Sequence, residues 1–208
     1  MEINAGVIEE TTEESQWHRA DWMQTYTGKK FYPTAPIVED IDIEDIAHSL
    51  SMQCRYNGHV REFYSVAEHC ILMSYAVPAE FALEALLHDA TEAYVGDMVR
   101  PLKIQMPEFQ EAERVIAEAI AARFGTPSSS AMSPEVKDAD NRIPLDEKAA
   151  LMGRAPGAWA VDGLEPLRVY IKKWQPPEAR YKYILRFAEL TGQDIVTNVG
   201  HGYVLGSL

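Results

Sequence analysis

Apolar residues recur at helical spacing along most of the chain. The first clear stripe follows Asp42 and consists of Ile43, Ile46, Ala47, Leu50 and Cys54. Residues at i, i+3, i+4 and i+7 lie on one face of an α-helix, so this stripe predicts an amphipathic helix with Asp42 as its N-cap. The Asn57-Gly58 pair then predicts a break in the helical pattern.

Capping and helix-breaking residues indicate further helices. We expect these helices over approximately residues 66–76, 79–96, 107–124, 134–144 and 177–190. Ser65 begins the first of them, and Glu68 follows three residues later in the arrangement of a capping box. Gly125 closes the helix that Pro107 begins, because proline is favoured in the first turn and glycine just past the end. Pro144 should kink or end the helix that contains it.

These elements predict an all-α protein, a single compact helical bundle with irregular N- and C-terminal extensions. The chain of 208 residues is long enough for one domain with a sizeable core. We expect a leader over residues 1–25, the helical domain over residues 26–192 and a tail over residues 193–208. The segment "TYTGKKFYPTAP" contains glycine and two prolines, and it predicts irregular or short-strand structure.

The chain is acidic, with a net charge of -13 and a calculated pI of about 4.9. Proteins that bind duplex nucleic acid usually present a basic face. The basic runs here are limited to Lys29-Lys30 and Lys172-Lys173, so we expect no duplex nucleic acid partner. A nucleotide remains compatible with the charge, because a metal ion and a few cations can supply local positive charge.

Two features bear on the cellular location. The apolar runs are too short to cross a bilayer, and the acidic start "MEINAGVIEETTEES" lacks the basic and apolar regions of a signal peptide. The two cysteines, Cys54 and Cys70, lie within predicted helices and indicate no disulfide framework. We therefore expect a cytoplasmic protein with no membrane partner.

The stretch "LEALLHDATEAYVGD" places His88, Asp89 and Glu92 among leucines and alanines. Buried ionisable groups are costly unless they are paired or bind a metal. His69 lies on the preceding predicted helix, where an antiparallel neighbour could bring it beside His88, and Asp140 lies on a later helix. Two imidazoles and two carboxylates suit Mn, Fe, Co, Ni or Zn better than calcium. A paired core histidine would also explain the pattern, and spacing alone does not decide between the two.

The order His69, His88-Asp89, Asp140, with each part on its own helix, resembles the H…HD…D signature of the HD-domain metal-dependent phosphohydrolases. Three longer segments, "RYNGHVREFYSVAEH", "LLHDATEAYVGDMVRPLK" and "VKDADNR", are similar to one branch of that family. This branch contains the bacterial 5′-deoxynucleotidases and the phage deoxyadenosine triphosphate triphosphohydrolases. The resemblance covers roughly residues 26–152. It implies an HD-domain helical bundle that holds one divalent transition metal.

The resemblance also implies roles for residues at the matching positions. The implied metal ligands are His69, His88, Asp89 and Asp140. Such a set leaves coordination positions open for water and a phosphate oxygen, and a bound metal lowers the pKa of its water. Glu92, one turn after His88, matches the catalytic acidic residue of the family, which would orient or deprotonate the attacking water. The alternative for Glu92 is a structural carboxylate paired with a lysine or arginine.

Four further residues match substrate-binding positions of the family: Arg55, Tyr56, Asp97 and Lys103. Arg55 would hold phosphate oxygens from a position at the end of an apparent helix. Asp97 would face the substrate or merely end a helix, and Lys103 would face the phosphates or the solvent. Tyr56 replaces the tryptophan or phenylalanine that more often follows the arginine, so a base could stack on it but no base preference follows.

The implied function is the hydrolysis of a deoxynucleotide, with release of phosphate from deoxynucleoside 5′-monophosphates as the leading hypothesis. The alternative enzyme is a dATP-type triphosphohydrolase, which could use Mg with its substrate. It would need extra cations near the phosphate chain, for which Lys29, Lys30 and Arg100 are candidates. The non-enzyme alternative is a catalytically silent nucleotide-binding regulator. Because the family usually assembles, we also expect a homo-oligomer, a dimer or larger.

Overall fold

The computed structural model describes residues 22–128 and 131–193. Over these residues the chain is predominantly helical, and its strands form one two-stranded sheet. The predicted all-α class is therefore confirmed. The predicted leader as far as residue 21, and the predicted tail from residue 194, lie outside the described residues. None of the described helices combines the length and the apolar character needed to cross a membrane.

A short hairpin precedes the helices. Strand β1, Met23–Gln24, lies in the predicted leader and pairs antiparallel with β2, Lys30–Phe31, which lies within the segment predicted to be irregular or short-stranded. The helices that follow are α1 (Ile43–Met52), α2 (Val66–Ala76), α3 (Ala82–Leu87), α4 (Glu92–Val95), α5 (Arg100–Lys103), α6 (Pro107–Phe124), α7 (Pro134–Leu151) and α8 (Pro176–Thr191). A long non-helical connection, residues 152–175, joins α7 to α8.

Helix α2 lies at the centre of the bundle. It packs against α1, α3, α7 and α8, and eight of its 11 residues are buried. Because it is surrounded, α2 places polar side chains as well as apolar ones in the interior, among them His69. Buried apolar residues of α1, α2, α3, α6 and α8 form the main core together with Phe31 and Tyr94.

The predicted helix starts at Asp42 and Ser65 are confirmed by their caps. The Asp42 carboxylate accepts the N–H of Glu44 at 2.9 Å, and the Ser65 hydroxyl oxygen accepts the N–H of Glu68 at 3.1 Å. The Glu68 carboxylate, however, accepts the backbone N–H groups of residues 172–174 at 2.5–2.9 Å. Glu68 therefore fastens the connection between α7 and α8 to the central helix, and does not serve only as a local cap.

The helix predicted over residues 79–96 is interrupted at the candidate site. A 3₁₀ turn, Ala79–Phe81, precedes α3, and turns at residues 88–91 separate α3 from α4. At the interruption, Nδ1 of His88 lies 2.8 Å from the carbonyl oxygen of Ala85. An uninterrupted α-helix would offer this oxygen to the backbone N–H of residue 89. Apolar residues continue on both sides of the break, so the sequence periodicity does not reveal it.

Pro144 lies inside its helix and does not end it. The sequence predicted either a kink or an end at this position. Helix α7 continues through Pro144 to Leu151. Proline removes one backbone hydrogen bond from a helix interior. Ile143 before it and Leu151 after it are both buried, and this packing on both sides compensates for the lost bond.

The end of α1 is earlier than predicted. The helix stops at Met52, so Cys54 and Arg55 lie beyond it. Cys54 forms an isolated antiparallel bridge with Ser65, and the N–H of Arg55 donates to the Tyr64 carbonyl at 2.9 Å. Arg55 therefore begins a 3₁₀ turn held against the start of α2, where it approaches the candidate site.

Candidate metal centre

The four predicted metal ligands converge among α2, α3 and α7, with both histidines buried and both aspartates partly exposed. The Nε2 atoms of His69 and His88 lie 3.3 Å apart. Asp89 Oδ2 lies 3.2 Å from Nε2 of His88 and 3.5 Å from Nε2 of His69. Asp140 Oδ1 lies 3.9 Å from Nε2 of His88, and ligand atoms of Asp140 and both histidines all lie within 4.8 Å of one another. The expected approach of His69 to His88 is thus observed.

The hydrogen bonds of the two imidazoles fix the direction of their lone pairs. Nδ1 of His69 lies 2.7 Å from Glu147 Oε1, and Nδ1 of His88 lies 2.8 Å from the Ala85 carbonyl oxygen. A carboxylate and a carbonyl oxygen only accept hydrogen bonds, so each Nδ1 carries a proton. In the neutral rings both Nε2 lone pairs therefore face the same space. A cation there, a proton or a metal ion, relieves their repulsion.

This set of donor atoms fits a metal ion. Two imidazole nitrogens with the carboxylates of Asp89 and Asp140 match the nitrogen and oxygen ligands of divalent transition metals. Burial by itself lowers the pKa of His88, but the adjacent Asp89 charge raises that pKa well above its usual value. The cluster thus attracts positive charge and could hold a metal ion.

Cys70 lies beside the cluster, although the sequence analysis assigned it no role there. Its sulfur lies within 4.8 Å of ligand atoms of His88 and Asp89. Burial raises the pKa of this thiol to about 11. The thiol therefore keeps its proton at neutral pH and is a weaker ligand than the two carboxylates. Its place next to His69 in the sequence is the signal that could have indicated it.

Glu147 on α7 contacts the cluster through Nδ1 of His69, and it is not among the site residues predicted from the sequence. The side chain is fully buried and accepts hydrogen bonds from His69 Nδ1 and from the Tyr56 hydroxyl. Burial by itself raises the pKa of Glu147, but the charges of Arg55 and His69 lower it to about 2. Glu147 follows Asp140 by seven residues, two helical turns, which puts both on one face of α7. That spacing indicates the shared helix face, although it does not indicate the partners of Glu147, which lie far away along the chain.

Arg55 reaches the site through a turn of unusual backbone conformation. Tyr56 and Asn57 adopt left-handed conformations, with φ of 57° and 51°. Such a conformation is costly for Tyr56, whereas asparagine adopts it more readily. The Arg55 guanidinium lies between two carboxylates, with Nε 3.3 Å from Glu147 Oε1 and Nη1 3.5 Å from Asp89 Oδ2. The predicted phosphate-binding arginine therefore stands directly beside a predicted metal ligand.

Glu92, the predicted catalytic carboxylate, begins α4 and is buried. Within the described part of the chain, its Oε2 has no hydrogen-bond partner. Burial raises the pKa of Glu92 well above its usual value, and the charges of Asp89 and Asp97 add to the rise. A buried carboxyl with an unpaired oxygen and a raised pKa is suited to exchange a proton.

Asp97 and Lys103 lie on the Glu92 side of the cluster. Burial raises the pKa of Asp97, and its backbone N–H donates to Gln53 Oε1 at 3.0 Å. The Gln53 amide also donates to the Glu92 carbonyl at 2.9 Å, so one side chain holds both ends of α4. Lys103 pairs with Glu113 on α6 at 2.6 Å, which restrains the ammonium group within electrostatic reach of Glu92. No periodicity in the sequence distinguishes Gln53.

The three cations proposed to bind a triphosphate chain, Lys29, Lys30 and Arg100, have the following surroundings in the structure. Lys29 pairs with Asp42 at 3.0 Å, at the N-terminus of α1. The Lys30 ammonium lies 4.8 Å from the centre of the Trp22 ring. Arg100 begins α5 with an exposed side chain. Two of the three candidates are thus engaged with other groups.

The chain has close relatives among bacterial proteins. It is 48% identical over 172 residues to the Uncharacterized protein YfdR of Escherichia coli (strain K12), over 82% of this chain and 96% of YfdR. It is 35% identical over 117 residues to the Uncharacterized protein RCAP_rcc00048 of Rhodobacter capsulatus, over 51% of this chain and 60% of that protein. No protein-family model matches the chain. Because nearly all of YfdR aligns at this identity, the chain belongs to the YfdR family.

Proposed function

We propose that this protein is a metal-dependent phosphohydrolase that releases orthophosphate from deoxynucleoside 5′-monophosphates. The observation that carries the proposal is the convergence of His69, His88, Asp89 and Asp140 around one space, beside Glu92, whose Oε2 has no hydrogen-bond partner among the described residues. The resemblance of the sequence to HD-domain phosphohydrolases supports the same reaction.

The four ligands would hold a divalent transition metal, Mn, Co, Zn, Fe or Ni. Such an ion, when bound, polarises a phosphate oxygen and lowers the pKa of bound water. The protein keeps both Nε2 atoms available for it, because Glu147 and the Ala85 carbonyl fix the proton of each imidazole on Nδ1.

The reaction adds one water across the phosphate ester bond. Glu92 accepts the proton of the attacking water, for which its raised pKa and its unpaired Oε2 suit it. Arg55, held between Glu147 and Asp89, binds phosphate oxygens and stabilises the charge that develops on them. The phosphorus–oxygen bond to the sugar breaks, and the 5′-oxygen takes up a proton, which balances the one given to Glu92, and leaves as a hydroxyl group. Asp97, on the Glu92 side of the cluster, would face the substrate.

The electrostatics of the site favour a monophosphate over a triphosphate. Among the described residues, the cations near the cluster include Arg55, Lys103 and Lys137, whose ammonium lies 3.4 Å from Asp140 Oδ2, and each already faces a carboxylate. Lys29 and Lys30, which a triphosphate chain would need, are engaged with Asp42 and Trp22. A substrate with four negative charges would meet more carboxylates than free cations, and like charges at short range repel.

The proposal is tested by phosphate release from a panel of deoxynucleoside mono- and triphosphates. The protein is first treated with a chelator, and Mn, Co, Zn or Mg is then added back. We expect orthophosphate from monophosphates with at least one transition metal. Tripolyphosphate from triphosphates would support the alternative enzyme, and nucleotide binding without turnover would support the regulator. The Glu92→Gln variant is the matched control, since it is expected to bind metal without turnover.

A further inference from the structure

The Glu147 carboxylate touches both parts of the site at once. On one side, Oε1 accepts a hydrogen bond from His69 Nδ1 at 2.7 Å. On the other, Oε2 accepts the Tyr56 hydroxyl and lies 3.4 Å from Arg55 Nη2. Glu147 itself is fully buried on α7. A single carboxylate thus connects a metal-ligating imidazole to the phosphate-binding turn.

We infer that Glu147 is a positioning residue that sets the geometry of metal binding and of phosphate binding together. The inference rests on the proposed function, because it takes His69 as a metal ligand and Arg55 as a phosphate ligand. It assigns Glu147 no contact with substrate. Its effect passes through the orientation of the His69 ring and through the conformation of the turn that begins at Arg55.

The backbone of the turn explains why such an anchor is needed. Tyr56 holds a left-handed conformation that is unfavourable without compensating contacts, whereas the asparagine that follows it adopts this conformation more readily. The Tyr56 hydroxyl donates a hydrogen bond to Glu147, and the Arg55 guanidinium forms an ion pair with it. These two contacts offset the unfavourable backbone conformation of the turn. Without it, Arg55 would lose the partner that directs its guanidinium toward Asp89 and the cluster.

A glutamine at position 147 removes the anchor with little change in shape. The amide has one accepting oxygen, whereas the carboxylate accepts from His69, Tyr56 and Arg55 with two. Its NH₂ group would face at least one of these donors, and the buried Arg55 would lose its fully buried counter-ion. Glu147→Gln should therefore weaken both the binding of the metal ion and the binding of phosphate.

The experiment uses the full chain and two titrations. Co²⁺ is titrated calorimetrically into chelator-treated protein without phosphate, and inorganic phosphate is then titrated into protein saturated with Co²⁺. For Glu147→Gln we expect Co²⁺ affinity to fall about 10- to 100-fold. Phosphate affinity of the Co²⁺-saturated variant should fall about fivefold or more.

Glu68→Gln is the matched control, because Glu68 is also fully buried but accepts backbone N–H groups of residues 172–174. It should keep both affinities within about twofold of the wild type, in line with sites that share no partners. Unchanged Co²⁺ affinity or unchanged phosphate affinity in Glu147→Gln would overturn the inference.

Two further outcomes separate this inference from the proposed function. A wild-type protein that binds no Co²⁺ would overturn both, whereas Co²⁺ binding with the expected Glu147→Gln losses but no hydrolysis would overturn the proposed function alone. Should Glu147→Gln fail to fold by circular dichroism, Tyr56→Phe replaces it, since it removes only the hydroxyl that Glu147 accepts. Phosphate affinity should then fall measurably, and an unchanged value would overturn the inference.

Discussion

Two buried glutamates on different sides of the His-Asp cluster have opposite electrostatics. Glu147 faces Arg55 and His69, and these charges overcome the effect of burial and lower its pKa to about 2. Glu92 faces Asp89 and Asp97, and burial together with these like charges raises its pKa well above the usual value. Burial alone therefore does not decide the charge of a carboxyl group, since the neighbouring charges determine the sign of the shift.

Under the proposed function, the difference separates a supporting side of the site, at Glu147, from a reactive side, at Glu92. On the Glu147 side, every acceptor oxygen of the carboxylate has a donor close to it. On the Glu92 side, a buried oxygen has no partner among the described residues, and a second carboxyl, Asp97, also has a raised pKa. A protein maintains such unfavourable groups where they do chemistry, while a satisfied network holds them in position.

The largest expected effect is on turnover in Glu92→Gln. Loss of a general base typically lowers the rate about 10²- to 10⁴-fold, and we expect kcat to fall by that amount. Co²⁺ affinity should stay close to the wild-type value, because Glu92 is not among the ligands. Steady-state phosphate release and Co²⁺ titration check both statements. Retained turnover, or loss of metal together with turnover, would remove Glu92 from the catalytic role.

The next prediction compares the stability of Glu147→Ala with that of Glu92→Ala. Removing one partner of a buried ion pair typically costs about 3–5 kcal/mol, so the free energy of unfolding should fall by that amount in Glu147→Ala. Glu92→Ala removes a carboxyl that repels its neighbours, so the loss should be much smaller despite the same truncation. Urea denaturation of metal-free protein measures both, and equal losses would contradict the contrast.

Metal should stabilise the folded protein through the cluster. A ligand at 100 times its Kd adds about 2.7 kcal/mol to the free energy of unfolding, so added Co²⁺ should raise the Tm of the wild type by several degrees. Asp89→Ala should abolish this rise, whereas Glu92→Ala should keep it. Thermal unfolding followed by circular dichroism, with and without Co²⁺, provides the measurement. A persistent rise in Asp89→Ala would exclude Asp89 as a ligand.

The smallest and most selective effect is the pH dependence of stability in the metal-free protein. The folded-state pKa of Glu147 is about 2, below the ordinary value of 4.5, so its contribution is present above pH 4.5 and is lost as pH falls through 2. The folded-state pKa of Glu92 is raised above 4.5, so its contribution is lost as pH rises above 4.5.

Urea denaturation between about pH 2 and 8 separates these two contributions. Glu147→Gln should flatten the loss of stability on the acid side, and Glu92→Gln should flatten the loss above pH 4.5, the ordinary pKa of a glutamate. Identical pH profiles for the two variants would show that the two carboxyls do not differ as described.

The sequence predicted most of the helices, and its resemblance to HD-domain proteins implied the four candidate ligands, but it could not predict how the site is supported. His69, His88-Asp89 and Asp140 stand out because polar residues interrupt apolar helix faces. Glu147 does not stand out, because a glutamate on a helix usually faces solvent, and its partners His69 and Tyr56 lie 78 and 91 residues away along the chain. Such long-range partners arise from packing and leave no local pattern.

Two local departures from regular helical backbone also could not be predicted from the sequence. The break at residues 88–91 lies within continuous apolar periodicity, and the left-handed conformation of Tyr56 is not favoured by its residue type. Only Asn57-Gly58 indicated a turn there. Tertiary contacts to Glu147 and to the Tyr64 carbonyl hold this turn, so the position of Arg55 could not follow from the sequence around it.

The most direct test of the account is the position of a metal ion in crystals grown with Zn²⁺ or Co²⁺. Anomalous diffraction locates the ion without any assumption about activity. We expect a single strong peak about 2.1 Å from Nε2 of both His69 and His88, with carboxylate oxygens of Asp89 and Asp140 completing the coordination. A peak elsewhere, or none at this cluster under saturating metal, would contradict it.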